Sequence, residues 1–271
     1  MNFLASARHN YTITTQLQNS KPIVPPAMAR LFAGEFKGIF SDFMTIEAAS
    51  AIGSYLIRKD IRLKDLPAQA WDIIYELAAT SQSLDPYFKD NYQLVGSFFP
   101  WEANRAKQAV DFLKIGADAR YWDPLPPYNI GFIYFYFLND NIQASKFLQE
   151  SYKRGGGTIM ATLSAKLLQK SGKTEIAIAY LENILKDEGN KQNLKSIQMR
   201  LTALKGVLVL EKAIVEYYKK HKEPLTDLQV LINEGIITQI PENSYNIPYC
   251  IDMATGNILF DSDKCLNPPT K

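Results

Sequence analysis

The sequence is poor in the residues that metal and redox chemistry need. Its 271 residues include two histidines, His9 and His221, and two cysteines, Cys250 and Cys265. No CxxC or CxxCH occurs, which argues against a zinc ribbon or a c-type haem site. An excess of one charge is lacking too. Against 30 basic residues stand 28 acidic ones, a formal net charge of +2, without the basic stripe that marks nucleic-acid binding. Long hydrophobic runs are also missing. The longest, Ile130 to Leu138, falls far short of the roughly 20 residues that span a bilayer. Residues 1–10 lack the charged start and apolar stretch of a signal peptide. Nor is there a GxSxG, an HExxH, a Walker A pattern or a GxGxxG. The expectation is a soluble non-enzyme without metal, cofactor or nucleic acid, touching a membrane only through an anchor outside this chain.

What is present is a core and a helical pattern. Hydrophobic residues make up 46% and charged residues 21%, ordinary globular usage that excludes global disorder. Residues 1–26 are polar, end in Pro25-Pro26, and read as an extended lead-in. From Ala27 to about residue 190 the pattern is helix, short break, helix. Asp85-Pro86 and Asp123-Pro124 each offer an N-cap carboxylate with proline at the first helical position. Gly172 and Gly189 suit helix C-termini. Gly155-Gly156-Gly157 reads as a linker, because no Lys-Ser/Thr follows it as a phosphate loop requires.

A repeat lies inside this region. Gly96 and Gly131 stand 35 residues apart, as do Ala109 and Ala144; Ala177 follows 33 later, and Leu113, Leu148 and Leu181 keep the same steps. Small residues thus recur where two helices would cross closely, and large ones where a helix would fill its neighbour's groove. A period near 34 with two helices per unit matches tetratricopeptide spacing. The expected pairs are 86–99 with 101–119, 126–138 with 140–154, and 158–171 with 173–187. A divergent pair, 35–58 with 67–82, stands in front.

Residues 191–233 read as capping helices. Ile197, Leu201, Leu204 and Leu208 fall on one face of a long helix over 191–222, with Gly206 as a weak point. Lys219, Lys220 and Lys222 suit the negative end of its dipole. Thr226 and Gln229 have capping-box spacing for a short helix to Asn233. Over 234–271 a small β-hairpin is expected, with strands at 247–252 and 257–260 and a turn at Met253–Gly256, followed by a loose tail after Leu266. Cys250 and Cys265 read either as a disulfide or as two free thiols.

The segment Tyr128-Asn129-Ile130-Gly131-Phe132-Ile133-Tyr134-Phe135-Tyr136-Phe137-Leu138, with Ala144 and Leu163 to Ala177, resembles tetratricopeptide units of a group of bacterial membrane-anchored repeat proteins. Gly34-Glu35-Phe36-Lys37-Gly38-Ile39-Phe40-Ser41-Asp42-Phe43 is similar to the opening of that group's first long helix. Glu211 to Ile214, Leu225 to Leu231, Gly235, Ile240-Pro241 and Tyr249 to Gly256 follow its order. The resemblance implies an all-α chain, an α-solenoid of tetratricopeptide-like helix pairs with a long C-terminal helix and a small hairpin. It also implies a membrane tether ahead of the lead-in, an extracytoplasmic setting in a bacterium, and work as an assembly factor.

In that architecture the first helix of each unit lines a concave face. Tyr128, Phe132, Phe135 and Tyr136 form one side of a helix, and aromatic side chains make strong binding anchors. Asp90, Gln93, Ser97, Lys166 and Gln169 would supply polar groups beside them for a peptide or helix of a partner protein. The alternative is a structural subunit that self-associates, or builds into a larger surface assembly, through its tail and hairpin edge.

Overall fold

The computed structural model describes residues 26–57, 62–186, 194–260 and 265. The lead-in over 1–25, Gly189, His9 and the tail after Leu266 lie outside the described residues. The protein is mostly helical, and adjacent helices pack pairwise. Among the described residues, no helix is long and apolar enough to cross a membrane. The chain divides into two compact units, Met1–Asn139 and Asp140–Lys271, and the division falls between the two helices of the second expected pair.

The first unit opens with α1 (Pro26–Ala33), a 3-10 turn (Gly34–Phe36) and α2 (Lys37–Leu56). After a second 3-10 turn (Leu63–Asp65) come α3 (Ala68–Leu84), α4 (Lys89–Trp101), α5 (Ala106–Ala119) and α6 (Leu125–Tyr136). Helix α2 packs on α3, α4 on α5, and α5 on α6. The α2–α3 contact is close because small residues line it: Ala48 is fully buried, and the hydroxyls of Ser41 and Thr45 lie 2.9 and 2.8 Å from that of Ser81. Buried amides tie the later helices together. Asn91 donates to the Ala78 carbonyl at 2.8 Å and Gln82 to that of Phe112 at 3.0 Å, so these amide nitrogens keep a partner on burial, while Oδ1 of Asn91 has none among the described residues. Phe99 is the aromatic centre, edge-on to Trp71 at 5.5 Å and tilted against Tyr75 at 5.7 Å.

The helix starts differ from expectation at both Asp-Pro pairs. Asp85 ends α3 and accepts a hydrogen bond from the Tyr87 amide at 2.8 Å, a tight local turn, so α4 begins only at Lys89. Asp123 likewise forms a local turn, accepting from the Leu125 amide at 2.9 Å while its other oxygen pairs with Arg120 at 2.7 Å, and Pro124 rather than Asp123 stands at the N-cap of α6.

The second unit comprises α7 (Asn141–Lys153), α8 (Thr158–Lys170), α9 (Thr174–Lys186), α10 (Lys195–His221) and α11 (Gln229–Asn233), then β1 (Cys250–Ile251) and β2 (Ile258–Leu259). Asp140 caps α7 by accepting from the Gln143 amide. The α8–α9 turn needs a left-handed residue, and Gly172 supplies it at φ +68°. Leu168, Leu181, Ile197, Leu204, Val207, Leu231 and Phe260 belong to one core. Helix α11 is served by Asp227, whose carboxylate accepts from the Gln229 amide; the expected Thr226 cap makes no such bond.

Helix α10 runs unbroken through Gly206, and the glycine is there for the hairpin. A Cβ at 206 would stand 2.8 Å from Cζ of Tyr249 and 3.1 Å from Cβ of Pro241. The hairpin pairs antiparallel, Cys250 opposite Leu259 and Ile251 opposite Ile258. Cys250 and Cys265 form a disulfide with Cα atoms 5.3 Å apart, the ordinary separation. Strands of two residues each leave little free edge for another chain.

Candidate functional site

Helix α4 exposes Asp90, Gln93, Ser97 and Trp101, spaced three, four and four residues, so they form one stripe along its outer side. From Asp90 to Trp101 the helix rises about 16 Å. The opposite side carries the buried Leu94, Val95 and Phe99. Pro100 sits one residue before the helix end, where its missing N–H disturbs little of the ladder.

The stripe meets α6 at Trp101. Its ring centroid lies 5.0 Å from that of Tyr136, 6.4 Å from Phe132 and 4.7 Å from Phe137. Phe132 and Tyr136 stack at 5.7 Å with planes 7° apart. Trp101 and Tyr136 are 51% and 54% exposed. Four rings therefore form a platform with two open faces, held rigid by edge and stacking contacts. Of the remaining anticipated aromatics, Tyr128 and Phe135 are half-buried on α6. Neither makes one of the ring contacts that define the platform.

Two anticipated residues belong to the second unit. Lys166 is half-buried on α8. Gln169 does not line a groove: it is 3% exposed and donates its amide to the Ile258 carbonyl at 2.9 Å, seating β2 on α8. Sequence spacing placed it beside Lys166, whereas its environment is set by a strand 89 residues away.

Trp101 and Phe137 were missed in the sequence. Trp101 is the next member of the Asp90–Gln93–Ser97 series, but the expected pair 86–99 with 101–119 put it in the following helix. A second exposed group escaped notice as well. Tyr87 and Trp122 stack at 6.0 Å, Tyr121 stands edge-on to Trp122, and the Arg120 guanidinium lies 5.8 Å from the Trp122 ring. Arg120 is committed elsewhere, to Asp123 and to the Tyr87 carbonyl.

The second unit has an open cleft of about 780 Å³ beside the α9 start, lined by Thr174, Glu175, Leu208, Glu211, Lys212 and their neighbours. Burial pushes the Glu211 carboxyl up, against the Thr174 hydroxyl that donates to it at 2.8 Å, and Glu175 adds to the rise. Lys212 pairs with Glu175 at 3.4 Å. The lining mixes both signs, Lys173, Lys212 and Lys219 with Glu175, Glu211 and Glu216. Among the described residues, no group of three or more His, Cys, Asp or Glu is placed to hold a metal ion. No protein-family model matches the chain, and neither the curated proteins nor the solved structures include a match to it.

Proposed function

We propose that this protein is a non-catalytic interaction scaffold of the tetratricopeptide type, whose α4–α6 face binds an extended or helical segment of another protein. The observation that carries the reading is the Trp101–Phe132–Tyr136–Phe137 platform at the end of a polar stripe. Rigid rings offer large contact area at low entropic cost. The stripe of Ser97, Gln93 and Asp90 offers hydrogen bonds along about 16 Å, the reach of roughly five extended residues. A fitting partner carries an aromatic or aliphatic anchor for the platform, with a cationic or amide group for Asp90.

The repeat character draws support from burial. Ala109, Ala144 and Ala177 are all fully buried, and Leu113, Leu148 and Leu181 are buried to within 1%. Burial of small and large residues at steps of 35 and 33 is what a tetratricopeptide repeat would require of them. An α-solenoid of helix pairs with a long closing helix is the architecture we assign on that basis. A tether on a bacterial membrane and work in assembling a surface or exported structure follow only from the family resemblance.

The test is a random-peptide display selection on the folded wild type, repeated on Trp101→Ala/Tyr136→Ala. Recovery of an anchored consensus that binds wild type in the micromolar range, with loss of tenfold or more in a variant of unchanged circular dichroism, supports the face as a binding site. A consensus that binds both proteins equally, or none at all, counts against it.

A further inference from the structure

Helix α2 is apolar on two sides, and among the described residues only one of them is covered. Ser41, Thr45, Ala48, Ile52 and Tyr55 are buried, with Ser41 and Thr45 bonded to α3. On the opposite side, Ile39, Phe43 and Ile46 are 66, 51 and 59% exposed, with Phe36 at 62% just ahead of the helix and Ile57 at 83% just beyond it. The full series is Phe36, Ile39, Phe43, Ile46, Ser50, Gly53, Ile57, with steps of three and four in strict alternation. That is the seven-residue pattern of a coiled-coil seam. Phe40, 46% exposed on the same helix, widens it.

We infer that this seam is a homodimer interface, in which α2 pairs antiparallel with α2 of a second copy. Three observations select that occupant. The first is the alternating spacing itself, which a helix needs to face another helix over several turns. The second is the distribution of bulk along the seam. Its front half carries Phe36, Ile39, Phe43 and Ile46, while the back half has Ser50 and Gly53, and the space beside Gly53 is empty. Antiparallel pairing centred between Phe43 and Ile46 sets Phe36 against Gly53 and Ile39 against Ser50 of the second copy, large into small at both ends. Parallel pairing would set large on large and leave a gap at the small end. An antiparallel pair is isologous and closes at two copies.

The third observation is area. Phe36, Phe40 and Phe43 alone offer roughly 320 Å² at about 200 Å² per side chain. With Ile39, Ile46 and Ile57, each more than half exposed, the face approaches the ~800 Å² per partner of a standard interface. It exceeds the roughly 300–600 Å² of the largest apolar patch on a typical monomer. The acidic Asp42 and Glu47 beside the seam do not suit an anionic lipid surface, which attracts Lys and Arg. The inference does not depend on the α4–α6 face being a binding site.

The experiment is sedimentation equilibrium of the full chain over a hundredfold range of concentration. Wild type is expected as a dimer, Phe43→Glu to weaken the dimer thirtyfold or more with unchanged helicity, and Tyr136→Ala to behave as wild type. For orientation, chains carrying only Phe43→Cys are mixed with chains carrying only Ile46→Cys and oxidised. Cross-linking between the two kinds faster than within either supports antiparallel pairing, and faster Phe43→Cys self-linking overturns it. A wild-type monomer at all concentrations overturns the inference, whether it pellets with phosphatidylcholine vesicles, which gives the face to lipid, or stays free, which gives it to another segment or protein. A dimer unaffected by Phe43→Glu overturns it as well.

Discussion

Tyr249 lies against Gly206 so closely that its hydroxyl donates to the Ala203 carbonyl, 3.0 Å away, on the preceding turn of the same helix. The contact joins the hairpin to α10 across 46 residues. Burial pushes the phenol up to about 12, so it remains a donor at every pH the protein meets. Gly206→Ala is expected to force the ring out and to cost about 1–3 kcal/mol, the usual range for overpacking. Tyr249→Ala should cost about as much by emptying the site. Combined, the two changes should cost clearly less than their sum, since both remove one contact. Urea unfolding of the two single variants and the double variant measures this. Strict additivity would mean that the glycine serves something else.

The disulfide closes the same region from the other side, tying Cys250 of β1 to Cys265. A two-residue pairing of strands is too small to hold by itself. Cys250→Ser/Cys265→Ser is therefore expected to lower stability by about 3 kcal/mol, the loop-closure value for a separation of 15 residues. Reductant should lower the wild-type unfolding midpoint and leave the double variant unmoved. Equal response of the two proteins to reductant would exclude a structural bridge.

Much of the helical order is legible because burial repeats with the sequence. Ala109, Ala144 and Ala177 hold the same depth and the same period, and any residue larger than alanine there would push neighbouring helices away from each other. Gly172 and Gly256 mark turns because each adopts a positive φ. The less legible features depend on distant partners. Gln169 looked like a surface amide until a strand 89 residues later covered it. Gly206 read as a weak point of α10 because nothing local reveals Tyr249. Helix α2 is apolar on both sides, so its periodicity did not distinguish the side facing α3 from the open one. Asp227 and Thr226 are adjacent possible caps, and only the backbone geometry chose between them.

Phe99 and Trp101 sit two residues apart on α4 with opposite exposures, 0% against 51%. Phe99 fills the core among Trp71 and Tyr75. Phe99→Ala should cost about 3–5 kcal/mol. Trp101→Ala loses ring contacts with half-open neighbours and should cost about 1 kcal/mol. Thermal unfolding of the two variants side by side checks this. If Trp101→Ala proves as damaging as Phe99→Ala, the platform is an extension of the core, and the case for it as a binding surface falls.

Glu211 supplies a prediction in pH. Burial raises its folded-state pKa, with the Thr174 hydroxyl partly opposing and Glu175 reinforcing. Below the ordinary glutamate pKa, about 4.3, the group is protonated both folded and unfolded and makes no difference. As pH rises above that value the unfolded chain ionises first, so stability falls until the folded-state pKa is passed and the penalty becomes constant. Glu211→Gln keeps an oxygen for Thr174 and removes the charge. The variant should unfold at a higher temperature than wild type at pH 7, and the difference should close as the pH is lowered below about 4. Differential scanning calorimetry at pH 3.5, 5 and 7 reads both midpoints. A variant less stable than wild type at pH 7 would mean that the carboxylate is ionised and held by a neighbouring lysine of the cleft, Lys212 or Lys219, and that its charge stabilises the fold.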